Sequence, residues 1–185
     1  MNVNEQDFLR LAENSGTLCF LDIEATGLRG DYNSVLVVSI KPFGRKAYSL
    51  SVKQAGNDQK VVREAKEELE TYDAWVTYYG KGFDIPMLNT RLLKWGQPPI
   101  EKRPHIDLYF TLKYNLLMAR RSQAHHLRWL DTPQQKMDLS PELWNEILAD
   151  TPKAMGTMTA RCESDVKGLE GLYRKTKHLI REIRR

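Results

Sequence analysis

Asp22 and Glu24 stand two residues apart inside the otherwise apolar run Leu18-Cys19-Phe20-Leu21-Asp22-Ile23-Glu24-Ala25. A short apolar run of this kind reads as a buried strand, and on a strand that spacing puts both side chains on one face. Carboxylates held side by side repel each other and lose hydration, so they call for a shared proton or a divalent cation. The plain alternative is a half-exposed strand whose two acids face water. Thr26-Gly27-Leu28 follows as a turn, with a hydroxyl, an apolar side chain and a glycine that permits close approach of a ligand.

A cation bound by two carboxylates needs further oxygen ligands, and two-metal sites use several acids. Asp84 lies between Gly80-Lys81-Gly82-Phe83 and Ile85-Pro86, where it suits either a metal ligand or the N-cap of the helix that follows. Asp165 falls among Met158, Cys162, Leu169 and Leu172 on the apolar stripe of a long helix. A carboxylate there needs a partner, either a cation or a buried salt bridge.

The elements that must position these acids follow from periodicity and turn chemistry. A short helix over 6–13 is stopped by Asn14-Ser15-Gly16. Val- and Ile-rich 34–40 and the segment 46–52 read as strands joined through Pro42-Phe43-Gly44-Arg45, which with the first strand makes an antiparallel meander. A helix over 59–71 turns Val61, Val62, Ala65 and Leu69 inward, 74–79 is a fourth strand, and 85–95 is a helix closed by Gly96. Beyond a short strand at 105–108 the pattern is helical: 109–119, 124–130, a helix capped by Ser140 with Pro141 at its first position, and a last helix from about 157 to 184. The expected fold class is α/β, a mixed sheet of three antiparallel strands followed by parallel strands, flanked by helices. One domain over 1–185 accommodates all of it.

With 41% hydrophobic and 28% charged residues the composition is that of a soluble globular protein. No apolar run approaches the roughly 18 residues of a bilayer span, and the N-terminal residues lack the regions of a signal peptide, so no membrane partner and a cytoplasmic location are expected. Cys19 and Cys162 both sit in apolar patterns and indicate no disulfide framework. A net charge of +4 permits nucleic acid as a partner without requiring it.

Three stretches carry a family resemblance: Asp22-Ile23-Glu24-Ala25-Thr26-Gly27-Leu28, Tyr79-Gly80-Lys81-Gly82-Phe83-Asp84-Ile85-Pro86-Met87-Leu88 and Arg161-Cys162-Glu163-Ser164-Asp165-Val166. In order and spacing they resemble the exonuclease motifs of the DEDD superfamily, which has the ribonuclease-H-like fold. The second is especially similar to the branch related to the proofreading domains of family B DNA polymerases. The resemblance implies a 3′-5′ exonuclease that hydrolyses phosphodiester bonds at the 3′ end of single-stranded DNA or RNA. It further implies that Asp22, Glu24, Asp84 and Asp165 hold two Mg2+ or Mn2+ ions, which activate water and stabilise charge on the phosphate. Thr26, Gly27 and Leu28 would contact the terminal nucleotide, and Phe83 would stack on a base or belong to the core.

The third motif departs from the family. Members place a tyrosine four residues before the last Asp, or a histidine five before it, to orient the attacking water; here Arg161 and Ala160 occupy those positions. Arginine is a poor general base, although it can hold a phosphate. The base is therefore unassigned, with His125 and His126 as substitutes unless they join Arg120, Arg121 and Arg128 in a basic surface patch. Asp107 either supports the site or caps the helix that begins at Leu108. The basic C-terminal stretch from Tyr173 onward either follows a nucleic-acid backbone or complements the helix dipole. A non-catalytic nucleic-acid-binding module on the same fold, or an interaction domain with a structural acidic cluster, are the competing functions.

Overall fold

The computed structural model describes residues 4–133, 140–149 and 152–181. Strands β1 (Leu18–Ala25), β2 (Val35–Pro42), β3 (Tyr48–Ser51), β4 (Ala74–Thr77) and β5 (His105–Asp107) form one sheet in the order β3-β2-β1-β4-β5. β3, β2 and β1 pair antiparallel, whereas β1, β4 and β5 run parallel, as the turn and strand pattern predicts. Helices α1 (Glu5–Ser15), α2 (Gln59–Leu69), α3 (Asp84–Lys94), α4 (Leu108–Asn115), α5 (Gln123–Trp129), α6 (Pro141–Leu148) and α7 (Pro152–Thr176) complete the described residues. No helix among them is long and apolar enough to cross a membrane.

Alternation along β1 divides the core in two. Cys19, Leu21, Ile23 and Ala25 pack with Val62 and Leu69 of α2 and Leu88 of α3, while Leu18 and Phe20 pack with Leu9, Leu112, Leu127, Val166 and Leu169 of the other helices. Asp22 and Glu24 therefore continue the face of Leu18 and Phe20, the face against which the C-terminal half of α7 lies.

Helix ends differ from expectation where tertiary contacts outweigh local pattern. α4 stops at Asn115 rather than 119, because the chain becomes extended at Leu116, which packs into the second core. α7 starts at Pro152, since Ala154 and Met158 carry its buried stripe further back. It ends at Thr176 instead of 184: a short 3-10 turn (Lys177–Leu179) follows, whose Lys177 and Ile180 carbonyls accept from the Gln6 amide at 3.2 and 2.9 Å. Residues 182–185 lie outside the described residues.

His105 on β5 is buried beside the Thr77 hydroxyl, at 2.8 Å from its Nε2, and burial pushes its imidazole down from 6.5 to about 3. The folded value is the depressed one, so as pH falls the unfolded chain takes up this proton first. Its stabilising contribution is complete above about 6.5 and is lost as pH falls toward 3. Unfolding free energies from urea titrations at pH 7, 6, 5 and 4 should decline less steeply in His105→Gln, by up to about 1.4 kcal/mol per pH unit. Parallel curves for the two proteins would mean that His105 is protonated in the fold.

Candidate metal centre

The parallel strands β1, β4 and β5 bring their C-terminal ends to one edge of the sheet, where open α/β sheets form their ligand crevices. β1 presents Asp22 and Glu24 there, the loop after β4 leads through Phe83 to Asp84, and β5 ends at Asp107. Pairing with β2 shifts register between Glu24 and Ala25, a bulge of the kind that aims side chains beside active sites.

α7 lies across β1 and delivers Asp165, which is 2% exposed. One ligand oxygen from each of Asp22, Glu24 and Asp165 lies within 4.8 Å of the others. Three hard carboxylate oxygens so placed fit a divalent cation such as Mg2+ or Mn2+. Asp84 stands outside that trio but lines a cavity with Asp22 and Glu24. Its Oδ1 accepts from the Ile23 amide at 3.1 Å, and burial, then the charge of Asp22, push its carboxyl well above the usual range. Of its two readings the N-cap is ruled out: Phe83 holds that position, and Asp84 opens the helix and points at β1. Asp22 is itself held by Cys162, one turn before Asp165, whose buried thiol stays protonated and donates to the Asp22 carbonyl and Oδ2 at 3.4 and 3.5 Å.

Arg161 reaches into this cluster. Its guanidinium is ion-paired with Glu24, stands 3.9 Å from Asp165 Oδ2, and is 11% exposed. Asp165 thus meets one of its two expected partners, a buried salt bridge, and sits within an acidic cluster that suits the other, a cation.

Other predicted residues divide. Leu28 is 80% exposed at the mouth of the cavity, and Phe83 both lines it and packs on the first core. The Thr26 hydroxyl serves the turn, accepting from the Ser34 amide at 3.0 Å, and Gly27 is required by Asn33, whose Oδ1 would lie 2.5 Å from a Cβ there. Neither His125 nor His126 lines the cavity. His126 is buried, with Nδ1 at 2.8 Å from the Tyr78 hydroxyl and 3.0 Å from the Ser122 carbonyl, so it belongs neither to the site nor to a solvated patch. Asp107 caps α4 through Tyr109 N at 3.0 Å and also accepts from Tyr79 N and Lys81 N at 2.9 and 3.0 Å, fixing the loop that presents Phe83 and Asp84. C-terminal cations are tied inward: Arg174 Nε donates to Glu170 at 2.9 Å and Lys177 pairs with Glu13 at 2.8 Å. Sequence reasoning missed the bond from Cys162 to Asp22; a cysteine three residues before Asp165 on its stripe was the available signal.

A search of curated proteins finds no match to the sequence. Among solved structures, the family B DNA polymerase from the hyperthermophilic archaeon Pyrobaculum calidifontis is similar in fold, with a TM-score of 0.65 and 19% identity. The match covers 85% of this chain but only 24% of the polymerase, so the likeness is to a part of that protein. Residues 19–177 match the RNase H superfamily. That match takes in all three motifs and most of the chain, and the protein belongs to the RNase H superfamily.

Proposed function

We propose that the protein is a metal-dependent 3′-5′ exonuclease acting on single-stranded DNA or RNA, with Asp22, Glu24, Asp84 and Asp165 as the ligands of two Mg2+ or Mn2+ ions. The observation that carries this reading is the convergence of Asp22, Glu24 and Asp165 within 4.8 Å at the C-terminal ends of the parallel strands. Bound cations would supply Lewis-acid activation of water and neutralise charge at the phosphate. The chain does the positioning. Asp22, held by Cys162, belongs to the trio and its charge acts on Asp84; Asp107 holds the loop that presents Asp84; Thr26 and Gly27 shape the turn that leaves Leu28 exposed against a terminal base. A 5′-labelled oligonucleotide of either sugar should shorten stepwise from its 3′ end in Mg2+ or Mn2+ and stop shortening in EDTA. A full-length oligonucleotide after incubation in both metals would overturn the reading.

The Arg161–Glu24 ion pair favours a second reading, a nucleic-acid-binding module in which the guanidinium permanently takes the place of a cation. The two readings part at Arg161. For the exonuclease, Arg161 must yield Glu24 to the metal, after which its guanidinium is available to a phosphate. Arg161→Gln then removes a competitor, and a charged hydrogen bond contributes about 1.5–3 kcal/mol, so Mn2+ should bind about 10- to 150-fold more tightly by calorimetry. Unchanged or weaker Mn2+ binding would mean that Arg161 does not compete with the ion.

A further inference from the structure

Beside the carboxylate cavity lies a surface of opposite character. Residues 108–130 contain Lys113, Arg120, Arg121 and Arg128 and no Asp or Glu. Within that stretch, α4 carries aromatic rings that lead away from the cavity. Tyr79, which lines the cavity with Asp22 and Glu24, has its ring 5.9 Å from that of Phe110, and Phe110 lies 6.5 Å from Tyr114, with interplanar angles of 35° and 20°. Tyr109 supports Tyr79 edge-on at 4.9 Å. Lys113 Nζ lies 5.3 Å above Tyr114, whose side chain is 75% exposed.

Tyr79 is held in a costly conformation. Its φ of 67° is left-handed, a region that aromatic residues rarely enter, and such strain persists only where the surroundings impose it. Here Asp107 fixes its amide, and its ring lies against Gly82, where an added Cβ would come within 2.5 Å of it. The fold thus sustains strain to set a partly exposed tyrosine ring at the edge of the acidic cavity.

Rings that lead from the acidic cavity onto a stretch whose charged side chains are all cations, ending at exposed Tyr114 under Lys113, select among partners. A second copy of this face would bring like charges together, and a basic peptide would be repelled in the same way. Nucleic acid offers both a negative backbone and π faces, and only a single strand leaves its base faces open for stacking. We propose that Tyr79, Phe110 and Tyr114, with Lys113, form a stacking track that binds the single-stranded segment on the 5′ side of the terminal nucleotide. The proposal rests on the exonuclease reading for the position of the 3′ end.

The test is fluorescence anisotropy of labelled single-stranded DNA and RNA in EDTA, where no turnover occurs, paired with digestion of the same oligonucleotides in Mn2+. Tyr114 is exposed enough to be changed without unfolding the protein, so Tyr114→Ala should weaken single-strand binding about 5- to 150-fold, while Tyr114→Trp retains it. Lys113→Gln should reduce the slope of log affinity against log salt by about 0.7. A blunt duplex should bind more weakly and be indifferent to Tyr114→Ala. Equal single-strand affinities for wild type and Tyr114→Ala, or equal losses for single strand and duplex, would overturn the track. Tyr114-dependent binding with no digestion would remove the exonuclease reading and leave the track standing; digestion whose KM ignores Tyr114→Ala would do the reverse.

Discussion

Asp22→Ala is expected to slow metal-dependent release of 3′ nucleotides by about a thousandfold or more, the loss that follows when several kcal/mol of charge stabilisation at the transition state disappears. Asp22 is the carboxylate common to both halves of the proposed site: it belongs to the trio with Glu24 and Asp165, and its charge acts on buried Asp84. Asp165→Ala should behave similarly, because it removes the carboxylate that α7 brings to the cluster. The control is stability. Loss of Asp22 relieves repulsion on Asp84, so the metal-free variant should melt no lower than wild type, whereas the rise in melting temperature that Mn2+ gives wild type should vanish. Activity within tenfold of wild type in both variants would remove these residues from the site.

Arg91→Ala is expected to cost about 3–5 kcal/mol in urea unfolding, the range for breaking a buried ion pair by removing one partner. Asp58, immediately before α2, is fully buried and accepts from Arg91 Nε and Nη2 at 2.8 and 2.9 Å, from Trp95 Nε1 at 2.8 Å and from Val35 N at 2.9 Å. Arg91 also donates to the Gly30 carbonyl at 3.1 Å. One carboxylate therefore joins α2, α3, the start of β2 and the loop that follows Leu28. Burial raises the Asp58 carboxyl, but the hydrogen bonds from Arg91 and Trp95 outweigh it and leave it below the usual 3.8. A depressed carboxylate stabilises the fold above its unfolded value, so this contribution persists at neutral pH and is lost only as pH falls below about 4. Because α3 opens with Asp84, Arg91→Ala should also weaken Mn2+ binding in the fraction that remains folded. A loss under 1 kcal/mol would show that water replaces the guanidinium at Asp58.

Much of the sheet and the acidic centre was legible in the residues because each rests on a local rule. A spacing of two on a strand put Asp22 and Glu24 on one face, Pro42 to Arg45 marked the turn of the meander, and helical periodicity set Asp165 on the buried stripe of α7. Local rules also left choices open that only packing closed. Asp84 could ligate a metal or cap its own helix; the cap fell to Phe83, and the Ile23 amide turned the Asp84 carboxylate toward β1. His126 could join a basic surface, and contact with Tyr78 and Ser122 buried it. α4 and α7 ended where Leu116 and Gln6 found partners distant in the chain.

By itself, then, the sequence determined the kinds of element, their order and the faces of those elements on which Asp22, Glu24 and Asp165 lie, since periodicity, turns and caps act over a few residues. Only the tertiary structure decided what neutralises those acids. Arg161 meets Glu24 across 137 positions and Asp58 meets Arg91 across 33, and no local preference encodes which distant charge enters a cavity. The cost of leaving a buried charge without a partner selects those pairs, and that cost arises only once the core has closed around them.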